Sequence, residues 1–97
     1  MGIFLITPLG HNADRIGEAV RENIAEIDRY ELQSRAGWFI KFSGTTIELS
    51  NKLGLSGQAK GVPSPLGSAL VTSLLSYYGK GPTDMWEWLK TRFEAAA

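Results

Sequence analysis

The chain has 97 residues, with ten Lys or Arg, ten Asp or Glu, no Cys and a net charge of zero. A chain of this size makes one domain and buries roughly 60–70% of its unfolded surface, enough for a single core. The composition excludes disulfides and thiolate metal sites, and the cancelled charge lacks the electrostatic footprint of a general nucleic-acid binder.

Met1 to Leu9 is apolar, but it has no basic leader and Pro8-Leu9-Gly10 breaks it, so it does not read as a signal peptide. No apolar run approaches the roughly 20 residues that cross a bilayer. The reading is a soluble, cytoplasmic protein without membrane contact. Residues 1–94 are expected to form the domain, and Ala95–Ala97 a tail or cloning remnant.

In chain order, Ile3–Ile6 is a short run with no polar face, as in a strand covered on both sides. Thr7-Pro8-Leu9-Gly10 ends it, and Asn12 or Asp14 can cap a helix. Ala13, Ile16, Gly17, Val20, Ile24 and Ile27 then recur at helical spacing. Gly17 on that apolar face predicts a close helix-to-sheet approach. Tyr30–Ser34 alternates at strand period, Arg35-Ala36-Gly37 turns, and Trp38–Phe42 returns, so the two read as a hairpin.

Thr45-Thr46-Ile47-Glu48 matches a capping box, with Thr45 as N-cap. Its helix runs to about Leu53, where Gly54 supplies a left-handed stop and Leu55 folds back on Leu49. Gly54–Gly67 reads as a long loop. Ser68–Tyr78 is apolar on both alternating faces and predicts one long last strand. Pro82–Phe93 is the final helix, with Met85, Trp86, Trp88, Leu89 and Phe93 on a wide arc.

The order is β-α-β-β-α-β plus a C-terminal helix. That predicts an α+β, ferredoxin-like βαββαβ domain, with a four-stranded antiparallel sheet in the order 4-1-3-2. Two helices cover one face of such a sheet. The apolar second face needs another cover: either the tryptophan-bearing helix or a second copy. A homodimer is expected, with Leu70, Leu74, Tyr78, Trp86 and Trp88 as candidate interface residues.

In element order, and in the Trp38-Phe39-Ile40 strand that follows a short turn, the chain resembles the small ferredoxin-like proteins around the CRISPR adaptation nuclease family. The resemblance implies a metal-dependent nuclease dimer with an acidic residue at the end of the first strand. This sequence has Ile6-Thr7-Pro8 there.

Other motifs are partial. Leu49–Ser56 resembles the start of a helix-turn-helix, but Gly61, Pro63 and Pro65 stand where the recognition helix would follow. Gly57-Gln58-Ala59-Lys60-Gly61 lacks the Gly-Lys-Ser/Thr ending of a phosphate loop. His11 is the only histidine, and it supplies neither a metal set nor a triad. Neither a metal nor another cofactor is expected.

The topology predicts one gathering, of His11, Asn12, Arg35, Gln58 and Lys60 at the end where the first strand exits. With a helix N-terminus there, that end is a candidate site for an anionic small ligand such as a nucleotide. Ser43, Gly44, Thr45, Tyr78, Gly79 and Lys80 gather at the opposite end, where Thr45 is expected to cap its own helix. Tyr77, Tyr78, Trp86 and Trp88 read as packing or interface aromatics, and Glu87 as a solvated position. The leading reading is a non-enzymatic, dimeric protein-interaction module. The alternatives are a regulatory or sequestering protein for an anionic ligand, and a nucleic-acid enzyme of the CRISPR-adaptation type.

Overall fold

A computed structural model describes residues 2–96. Seven main elements follow in order: β1 (Gly2–Pro8), α1 (Ala13–Asn23), β2 (Arg29–Glu31), β3 (Trp38–Phe42), α2 (Thr46–Leu53), β4 (Ala69–Leu74) and α3 (Thr83–Ala96). Short 3-10 turns at Glu26–Asp28 and Gln33–Arg35 flank β2. The strands form one sheet in the order β2-β3-β1-β4, which read from the β4 edge is β4-β1-β3-β2. Every neighbouring pair is antiparallel.

β1 lacks a polar face because it lies inside the sheet with side chains sent into two cores. Phe4 and Ile6 join Trp38 and Ile40 of β3 beneath Ile16, Val20, Leu49 and Leu53 of α1 and α2. Ile3 joins Phe39 beneath Trp88 and Leu89 of α3. The two sets alternate along the strands, as a pleated sheet requires.

The second face of the sheet is thus covered from within the chain. α3 lies across it with two stripes. Asp84, Trp88 and Arg92 reach toward β2: Tyr30 Oη donates to Asp84 at 2.8 Å, Trp88 packs on Tyr30 and Phe39, and Arg92 donates to the Ile27 carbonyl. On the other side Trp86 and Phe93 hold Tyr77, with ring centroids 5.8 and 4.9 Å apart. The helix is described through Ala96.

α1 approaches the sheet closely at Gly17. A Cβ there would lie 2.9 Å from Trp38 Cζ2. α2 carries the complete capping box, with Glu48 N–H donating to Thr45 Oγ1 and Thr45 N–H donating to Glu48 Oε1. It stops at Gly54, whose φ of 85° is left-handed, and Leu55 N–H closes on the Ser50 carbonyl. That conformation suits glycine, which has no Cβ to clash.

Four expectations need correction. The last strand is Ala69–Leu74, not Ser68–Tyr78. Leu74 pairs with Ile3, and Leu75 to Tyr78 lie outside the ladder with β1. β2 is Arg29–Glu31, not Tyr30–Ser34. Gln33–Arg35 coil into a 3-10 turn, with Ser34 and Arg35 at positive φ and Leu32 N–H donating to the Gly37 carbonyl. The helical face ends before Ile27: α1 stops at Asn23, and Ile27 is 68% exposed. Asn12 occupies the N-cap position of α1 without capping it through its side chain.

Candidate functional site

Of the five residues expected to gather around an anion, Asn12, Arg35 and Gln58 have partners within the chain. Asn12 is buried, and its Nδ2 donates to the carbonyls of Leu66 at 2.8 Å and Ser68 at 2.9 Å. It staples the long loop to the start of α1 just before β4 begins. Arg35 forms an exposed ion pair with Asp14. Gln58 Nε2 donates to the Gly54 carbonyl at 2.9 Å. His11 and Lys60 are exposed. None of the five lines the hollows described below. Among the described residues, no three His, Asp or Glu side chains are placed to hold a metal ion.

An open cleft of about 410 Å³ is bounded by Asn23, Ile24, Asp28, Lys41, Ser43 and Lys52. Its polar groups are partly committed: Asn23 Nδ2 donates to the Ala19 carbonyl, and Arg29 donates to the Ile24 carbonyl at its rim.

The two edges of the sheet differ sharply. The β2 edge has three residues, two of them charged, between two 3-10 turns. Arg21 pairs with Glu31 at 3.6 Å beside it. Short, charged edges are the usual guard against strand addition. The β4 edge has six residues, Ala-Leu-Val-Thr-Ser-Leu, and none is charged or a proline. The whole stretch between Lys60 and Lys80 lacks Lys, Arg, Asp and Glu.

The register shows which backbone groups of β4 are open. Leu9 N–H donates to the Ser68 carbonyl at 3.0 Å, one step beyond the Pro8–Ala69 pair. Bonded and non-bonded pairs alternate along an antiparallel ladder. Leu70, Thr72 and Leu74 therefore bond inward to β1, while Ala69, Val71 and Ser73 turn their N–H and C=O groups outward. Pro8 fits this pattern, since it has no N–H to offer at its non-bonded position.

Apolar side chains flank the open edge on both faces. On the α2 side, a shallow hollow of about 200 Å³ is lined by Ile47, Leu55, Ala69 and Val71 together with Thr46, Ser50 and Ser56. On the α3 side Leu70 is 51% exposed. Just past the strand, Leu75 and Tyr78 are 90% and 102% exposed, while Tyr77 between them is anchored on Trp86 and Phe93.

No protein-family model, curated protein or solved structure matches the chain.

The candidate interface residues divide accordingly. Leu70 lies on the open edge, and the exposed Tyr78 stands four residues past it, lining a small hollow with Tyr77, Gly79 and Trp86. Leu74 is half-buried against the α3 core. Trp86 is half-buried, stacks on Tyr77, and donates its indole N–H to the Gly81 carbonyl. Trp88 is 8% exposed and spends its surface inside the chain. Val71, Thr72, Ser73 and Leu75 were missed by sequence reasoning. The uncharged run between the two lysines is the signal that points to them.

Among the described residues, the phenol of Tyr30 is displaced from its ordinary range. Burial, and then the Asp84 carboxylate to which it donates, raise the phenol of Tyr30. The effect favours the protonated hydroxyl and fastens α3 to β2.

Proposed function

We propose that this protein is a non-enzymatic interaction module that works by accepting a strand at the β4 edge. The observation that carries this reading is the row of unpaired backbone groups on Ala69, Val71 and Ser73, set on an uncharged edge beside a mostly apolar hollow. Strand addition takes its affinity from main-chain hydrogen bonds and its selectivity from pockets for alternate side chains. The β4 edge and the hollow on the α2 side offer one of each. The fold is read as ferredoxin-like, and its element order and antiparallel neighbours support that reading.

Peptides selected from a random display library on the immobilised protein test the proposal. The selected peptides should alternate apolar residues, and their binding should be lost in Ser73→Pro. That variant removes one outward N–H from an exposed edge position, where proline is tolerated. Peptides that bind Ser73→Pro with unchanged Kd would refute the edge as the working surface.

A further inference from the structure

We infer that the strand accepted at this edge is β4 of a second copy, paired antiparallel about a two-fold axis at Thr72; this rests on the reading of β4 as an open edge. On the α3 face β4 reads Leu70-Thr72-Leu74, which is the same in either direction. An antiparallel partner centred on Thr72 sets Leu70 opposite the other copy's Leu74, and Thr72 opposite Thr72. Leu–Leu and Thr–Thr cross-strand pairs are both favourable.

The backbone obeys the same axis. Thr72 bonds inward, so the Thr72 pair is a non-bonded pair, with its side chains close together. Val71 then faces Ser73 of the other copy, and both present outward N–H and C=O groups. Two such pairs give four main-chain hydrogen bonds around the axis. No charge lies on either strand to oppose the approach, whereas like charges directly opposite would repel.

A second feature falls in register without being needed for the first. Three residues past the axis stands Leu75, 90% exposed. Three residues before it, in the other copy, stands Ala69, which lines the hollow with Ile47, Leu55 and Val71. Leu75 is also the next odd position after Ala69, Val71 and Ser73, the series on the α2 face. A largely exposed leucine thus meets the mostly apolar hollow on the partner, twice per dimer. The product is a continuous eight-stranded sheet with isologous contacts.

Thr72 is exposed, so charge can be placed on the axis without disturbing either core. The wild-type chain should be a dimer by sedimentation and native mass spectrometry. Thr72→Lys alone and Thr72→Glu alone should each be monomeric, with unchanged circular dichroism. Mixed together they should form a heterodimer, because only the two-fold register puts position 72 opposite itself. Leu75→Ala should weaken the wild-type dimer about tenfold. A monomeric wild-type chain at all concentrations would overturn self-pairing while leaving the peptide result of the edge reading intact. A dimer lost in Ser73→Pro but not rescued by mixing the charged variants would overturn the Thr72 axis alone. A dimer indifferent to Ser73→Pro and to both charges would overturn the edge as well.

Discussion

At Asn12 two uses of one side chain compete. The position is the N-cap of α1, where an oxygen is usually aimed at the first helical N–H groups. The side chain instead gives both Nδ2 protons to the loop carbonyls of Leu66 and Ser68. Asn12→Asp separates these roles. Aspartate is as good a cap and suits the helix dipole, a gain of up to about 1 kcal/mol. It would also set a carboxylate oxygen against two carbonyls in a buried place, a loss of about 1–3 kcal/mol or more. Net destabilisation is expected in urea unfolding; a more stable variant would mean that capping dominates. Tyr30 makes a pH-dependent counterpart. Its folded-state pKa lies above the unfolded one, so its contribution is complete below about pH 10. Above that the unfolded chain ionises first, and the contribution fades as pH rises through the folded value. Tyr30→Phe should cost up to about 1 kcal/mol at neutral pH. The gap to wild type should hold up to about pH 10 and narrow above it, which denaturation at a series of pH values would show.

At the level of elements, α3 takes the place that a partner could have filled. Trp88 anchors it, packed on Phe39 and Tyr30 with the Arg92 guanidinium 5.0 Å from its ring centroid. Trp88→Ala should cost about 3–5 kcal/mol, read from the denaturation midpoint. Association of the folded fraction should match wild type, since these contacts lie on the β2–β3 side of the sheet, away from β4. A dimer weakened without loss of stability would place this tryptophan at the contact instead. The element order was legible in the sequence because each segment carries a clear period or a clear stop. The capping box, Gly54 and the close approach at Gly17 are local signals with local causes, and they appear where their residues stand. The ends of β2 and β4 were not legible. Alternation of side chains says that a segment could be a strand, but a strand also needs a neighbour. Leu75–Tyr78 alternate as well as Leu70–Leu74 do, yet only the latter pair with β1.

For the molecule as a whole, the candidate site was half hidden for a related reason. Of the polar residues His11, Asn12, Arg35, Gln58 and Lys60, three are engaged in a staple, an ion pair and a loop bond, and two face solvent. The surface that stands open is made of backbone, and no residue type announces an unpaired amide. Only the contrast between the two rims reveals it. That contrast also limits how far assembly can go. Were both rims receptive, each added subunit would offer a fresh template, and the sheet would extend into a fibre. Arg29-Tyr30-Glu31 forms a short, charged rim, so under the pairing proposed above the β4 rim would be the last template used and two copies would close the particle.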